Sequence, residues 1–76
     1  MFEQVKTIIV DLMHLDPNQI SEQSNLKDDL TFDSLMILEL VLELESHFNV
    51  QIDDQEVKSF HHVQDIITCI KHKQSS

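Results

Sequence analysis

Apolar residues recur at helical spacing along three stretches of the chain, with polar residues between them. Phe2, Val5, Ile8, Ile9, Leu12 and Met13 fall on one stripe, and Glu3, Lys6, Thr7 and Asp11 on the other side. This predicts an amphipathic first helix. Pro17 cannot continue it and pushes Asp16 towards extended geometry, so the helix should end near His14 or Leu15. A second helix is expected from Ser34 to His47 or Phe48, with Asp33 as its N-cap. Asn49 stands where a left-handed residue closes many helices. The chain has no glycine, so asparagine and aspartate are left to take such conformations. Asp53 and Asp54 open a short third helix reaching about Lys58. Val63, Ile66, Ile67 and Ile70 mark a fourth, with Gln64 and Asp65 in its first turn and Lys71 and Lys73 near its end, as the helix dipole favours. The tail His72 to Ser76 is expected to fray.

Between the first two helices runs "DPNQISEQSNLKDDLTF", Asp16 to Phe32, which is long for a connection in a compact domain. Ile20, Leu26 and Leu30 are spaced along it so as to pin it to a core, which makes it an ordered crossover. Nothing reads as a β-strand of useful length. The prediction is all-α: one domain over residues 1–76, a small four-helix bundle with a short third helix and a long first loop.

The second helix has more leucines than one buried face needs. At 100° per residue, Ile37, Leu40, Val41, Leu44 and Phe48 share an arc of about 100°, which is the core face. Leu35, Leu38 and Leu42 form a second apolar stripe with Ser34, Glu45 and Ser46, and Glu39, Glu43 and Met36 complete the far side. Either the long loop or the third helix covers this stripe, or it stays exposed and docks other proteins with glutamates as a charged rim. Leu35 and Met36, in the first turn, are the residues expected to be most exposed.

Charge narrows the choice of partner. Fourteen acids against five lysines leave a formal −9, and there is no arginine. Phosphate backbones are bound by lysine and arginine, so nucleic acid is not expected as a partner. An acidic surface steers in basic protein partners, or serves only solubility. One cysteine, Cys69, cannot form an internal disulfide and is read as a packing residue. No signal peptide or membrane span is visible, and a cytoplasmic, reducing setting is expected. His61 and His62 suggest no metal, because adjacent residues at a helix start point different ways.

Ser34 poses the chemical question. A serine at a helix start usually serves as a cap, but Asp33 already fills that role. The helix start offers free N–H groups and positive partial charge, which would favour a phosphodiester on the hydroxyl. No glycine-containing elbow surrounds it, and no histidine is placed near it by sequence, so a triad nucleophile is not indicated. It reads better as the acceptor of a modification made by another enzyme. No paired acid, base and nucleophile suggests an enzyme.

The pattern D-L-x-x-D-S-L-x-x-x-E-L-x-x-x-L-E-x-x-F from Asp29 to Phe48 resembles the acyl carrier protein family. The first helix, the long loop, I-x-D at Ile52 to Asp54 and V-x-x-I-I-x-x-I at Val63 to Ile70 follow the family's order and spacing. The resemblance implies that a phosphopantetheinyl transferase, using coenzyme A, places 4′-phosphopantetheine on Ser34, flanked by Asp33 and Leu35. The arm's thiol would carry acyl groups as thioesters between partner enzymes of fatty acid, polyketide or related biosynthesis. Acyl-loading, synthase or acyltransferase enzymes with basic docking patches would be those partners, and the carrier a monomer. By position, Leu35, Met36, Leu38, Glu39, Leu42 and Glu45 match its partner-recognition helix, and Leu42, Ile52, Val57 and Phe60 the region that shelters acyl chains. An aminoacyl or peptidyl carrier, or a helical interaction module without the arm, are the alternatives. Thr31 stands where the family commonly has glycine and Phe32 where a small residue is frequent. The backbone before Ser34 is therefore expected to differ, or Phe32 to shape partner choice. Met36, Ser46 and His47 replace frequent acids, and Cys69 a common tyrosine, which leaves a polyketide, lipid-modification or aminoacyl pathway open.

Overall fold

A computed structural model describes residues 1–74, and its described residues form helices without strands. Helix α1 spans Phe2–Met13, α2 Ser34–Phe48, α3 Asp54–Lys58 and α4 Val63–Gln74, with one 3-10 turn at Pro17–Gln19. The four-helix architecture with a short third helix is the one expected from the apolar spacing.

Seventeen apolar side chains form one buried cluster. Val5, Ile8 and Ile9 come from α1, Ile37, Leu40, Val41 and Leu44 from α2, and Val63, Ile66, Ile67 and Ile70 from α4. Ile20, Leu26, Leu30 and Phe32 of the long loop are also buried. These four stitches explain how a long polar segment stays ordered: each buries a large side chain while the polar residues between them face water. The loop also caps α4, whose first N–H groups have no partner within the helix. Val63 N–H donates to the Ser24 carbonyl at 3.1 Å and Gln64 N–H to the Glu22 carbonyl at 2.8 Å. Asp65 Oδ2 accepts the N–H groups of His61 and His62 at 3.0 and 2.9 Å. Burial pushes its carboxyl pKa up, but the two backbone donors and the imidazoles outweigh that and hold it below the usual value.

Helix α1 ends at Met13 with His14 as its C-cap, close to the expected end; His14 takes a left-handed conformation (φ 55°) and its N–H closes onto the Val10 carbonyl at 2.8 Å. One boundary differs from expectation. The tail from His72 to Gln74 does not fray but continues α4. Lys73 in it donates to Glu56 of α3 at 2.8 Å, a contact that secures the last turn. The rest of that expectation, Ser75 and Ser76, lies outside the described residues.

Glu56 is the hinge pin of α3. Its backbone N–H is accepted by Asp53 Oδ1 at 3.0 Å, while Glu56 Oε1 accepts the Asp53 N–H at 3.2 Å, a capping box on a helix too short to hold itself. The same carboxylate takes hydrogen bonds from Lys73 Nζ and from Cys69 Sγ, the latter at 3.1 Å. The Lys73 ammonium, then the Cys69 thiol, then the Asp53 N–H draw its pKa down to about 2. Burial, then the hydrogen bond to Glu56 and its charge, push the Cys69 thiol up to about 11.

Candidate functional site

The segment before α2 fixes where its first hydroxyl sits. Asn25 Oδ1 accepts the N–H groups of Lys27 and Asp28 at 3.0 and 2.9 Å, and Asp29 Oδ2 accepts the Asn25 N–H at 2.7 Å. Leu26, fully buried, donates its N–H to the His61 carbonyl at 2.9 Å and accepts from Phe32 N–H at 2.8 Å. Thr31 then takes φ 59°, the left-handed region that glycine occupies freely. The backbone before Ser34 thus turns where a glycine would allow it, and Thr31 itself adopts the demanding geometry. Phe32 is only 4% exposed, so its side chain anchors the turn from within the core.

Asp33 is extended and caps α2, its Oδ1 accepting the Met36 N–H at 2.8 Å and its carbonyl the Ile37 N–H at 2.9 Å. Ser34 is the first helical residue and its side chain is exposed. A hydroxyl therefore stands in solvent at the positive end of a helix of 15 residues, with its capping duty taken by its neighbour.

Beside it is a cleft of about 260 Å³. Ile37, Val57 and Phe60 form its apolar wall, and Lys27, Lys58 and His61 its polar rim, with Ser34 in the lining. The rim was missed by sequence reasoning, which placed no histidine near Ser34. No local spacing signals it: Lys27 and His61 meet only because the loop is stitched to the α3–α4 connection through Leu26, where Asn25 and His62 also form an isolated bridge. Among the described residues no group of three or more His, Cys, Asp or Glu is placed to hold a metal.

Along α2 the second stripe is open to solvent. Leu35, Leu38 and Leu42 are 62%, 55% and 57% exposed. Neither α3 nor the loop covers them, so the reading of this stripe as further core fails. Glu39 and Glu43 beside them are exposed too. Met36 differs from expectation: it is half-buried and packs against the core. Glu45 is also half-buried, and its Oε2 accepts the Ile52 N–H at 2.9 Å, which ties α2 to the start of the α3 segment. Of the residues matched to an acyl shelter, Ile52 and Phe60 are core, and Val57 packs against it. Val57 and Phe60 line the cleft at Ser34, whereas Ile52 lines a separate polar cleft with Glu45, Asp53, Glu56 and Lys73. Leu42 faces solvent and lines neither. A wider groove of about 490 Å³ between α1 and α2 does not include Ser34.

This chain belongs to the phosphopantetheine-attachment family of carrier proteins: the family model "phosphopantetheine attachment site" matches residues 3–70. Among solved structures it is similar to a protein from Mycobacterium tuberculosis assigned as an acyl carrier protein, at 30% identity and a TM-score of 0.88, covering 93% of this chain and 95% of that one. It is likewise similar to the acyl carrier protein of Enterococcus faecalis, at 32% identity and a TM-score of 0.79, covering 95% and 91%. The family's prosthetic group is 4′-phosphopantetheine, held covalently. The chain's own residues fit such a group, because an exposed hydroxyl opens onto a cleft with an apolar wall and a cationic rim.

Proposed function

We propose that the protein is an acyl carrier whose attachment residue is Ser34. The observation that carries this reading is the exposed Ser34 hydroxyl at the first position of α2, relieved of capping by Asp33, in a chain matching the attachment-site family from residue 3 to residue 70. In the loading step Ser34 Oγ attacks the pantetheine-side phosphorus of coenzyme A. The P–O bond to the nucleotide half breaks, adenosine 3′,5′-bisphosphate leaves with that electron pair, and the hydroxyl proton passes to a base on the transferase. When bound, the group supplies a thiol that holds an acyl chain as a thioester.

The chain's contribution is position and recognition. Asp33 and the Leu26 stitch hold Ser34 at a fixed place on the surface. Leu35, Leu38 and Leu42 offer an apolar strip, and Glu39 and Glu43 give it an acidic border suited to basic partners. A strip of this size favours weak, reversible docking, which a shuttle serving several enzymes requires. Phosphopantetheinyl transferase and acyl-loading or synthase enzymes are the partners this reading implies, with the chemistry done on their side, in fatty acid, polyketide or related biosynthesis.

Incubation with a broad-specificity phosphopantetheinyl transferase and coenzyme A, followed by intact-mass measurement, tests the assignment. One added phosphopantetheinyl group that is lost in Ser34→Ala is the expected result. An unmodified chain would instead indicate an interaction module that keeps the fold without the arm.

A further inference from the structure

The lysines of this acidic protein are not spread at random. Two of the five, Lys27 and Lys58, line one cleft together with Ser34, and His61 joins them. Carboxylates outnumber lysines by fourteen to five, yet neither lysine is ion-paired among the described residues. All three rim positions have a fixed backbone. Lys27 N–H is held by Asn25 Oδ1. The turn after Lys58 is closed by Ser59 N–H and Oγ on the Glu56 carbonyl, at 3.1 and 2.7 Å, and by Phe60 N–H on the Val57 carbonyl at 3.0 Å. His61 is held from both sides, by Leu26 and by Asp65.

We propose that this cleft is a seat for the phosphodiester end of the prosthetic arm, with Lys27, Lys58 and His61 as its donors. The inference rests on Ser34 being the attachment residue and adds where the arm lies. A phosphate on Ser34 Oγ starts inside the lining of the cleft by covalent connection. Its negative charge then shares the cleft with two lysines and with His61, whose ring donates at least one N–H whichever its charge state. The apolar wall of Ile37, Val57 and Phe60 suits the branched aliphatic segment next to the phosphate. With the phosphodiester seated there, the near end of the arm lies against the α3–α4 connection.

Nuclear magnetic resonance of the ¹⁵N-labelled chain before and after loading tests this, with ¹⁵N also placed in the two amides of the arm. The expected result is a set of amide shifts at Lys27, Val57, Lys58 and His61, several-fold larger than those at Ile52, with arm amides that are ordered on the nanosecond timescale at low salt. In the Lys27→Gln, Lys58→Gln double variant those distant shifts shrink several-fold and the arm amides become mobile, while circular dichroism stays that of the parent. Shifts confined to Asp33–Met36, with arm amides equally mobile in parent and variant, overturn the proposal and leave the attachment reading standing. Failure of the mass gain at Ser34 removes both.

Discussion

Among the described residues, three without glycine's freedom take left-handed backbone: His14, Thr31 and Asn49. Asn49 was legible, because asparagine after an apolar helix is a common closing residue. His14 was not, because Pro17 already offered a reason for the helix to stop. Thr31 is the costly one: a β-branched side chain in this region strains against its own backbone by about 1–2 kcal/mol. Replacing it with glycine relieves that strain but adds freedom to the unfolded chain, worth about 0.5–1 kcal/mol. Thr31→Gly is therefore expected to raise stability by up to about 1.5 kcal/mol, seen as a higher urea midpoint at unchanged m-value. A lower midpoint would show that the hydrogen bond from Thr31 Oγ1 to the Leu30 carbonyl, at 2.7 Å, matters more than the strain. Glu56 gives a second test at this scale. Its folded pKa of about 2 lies below the ordinary 4.5, so its contribution to stability is fully present above 4.5 and is lost as pH falls through about 2. Melting curves of Glu56→Gln should lie below the parent at neutral pH and converge with it as the pH approaches 2. The variant should also make Cys69 quicker to alkylate at mildly alkaline pH, because the carboxylate that opposes its thiolate is gone.

At the scale of the element, α2 shows why one helix can be read from its sequence only in part. Its core face, from Ile37 to Leu44, follows from spacing alone, and the structure buries those residues. The second stripe was ambiguous, because periodicity cannot say whether a neighbour covers a face. The answer came from α3, which at five residues, Asp54–Lys58, leaves the stripe exposed. Two substitutions separate the faces. Leu44→Ala removes a side chain with no exposure and should cost about 2–5 kcal/mol. In a domain with roughly 4–11 kcal/mol of net stability, that is a large share. Leu38→Ala, on the exposed stripe, should stay within about 0.5 kcal/mol of the parent by urea unfolding. If the stripe docks partners, the same variant and Glu39→Gln should lower the kcat/KM of transferase loading several-fold. Loss of helicity in step with loss of loading would instead return Leu38 to the core.

For the whole molecule, the fold was legible because each helix carries its own signal, whereas the surroundings of Ser34 were not. Lys58 and His61 are three positions apart at the end of α3, but Lys27 lies on the long loop, and the hydrogen bond from Leu26 to the His61 carbonyl brings it to their cleft. No pattern within any segment records that meeting. The charge of the whole chain, by contrast, is fixed by composition, and its consequence is general. A formal −9 on 76 residues repels itself more in the compact state than in the expanded one. Screening length shrinks from about 30 Å at 0.01 M salt to about 8 Å at 0.15 M, so added sodium chloride should raise the melting temperature. The favourable lysine pairs among the described residues, Lys6–Glu3 and Lys73–Glu56, weaken under the same screening, but they are outnumbered by the chain's other carboxylates. Divalent cations should act more strongly and without saturating at one equivalent, because the described residues offer no cluster of three ligands. The Lys27→Gln, Lys58→Gln variant makes the test quantitative. Losing two positive charges takes the formal charge from −9 to −11, so its melting temperature at low salt should fall below the parent's and its rise with salt should be steeper. Equal slopes for the two proteins would mean that local contacts, and not the field of the whole surface, set the salt dependence.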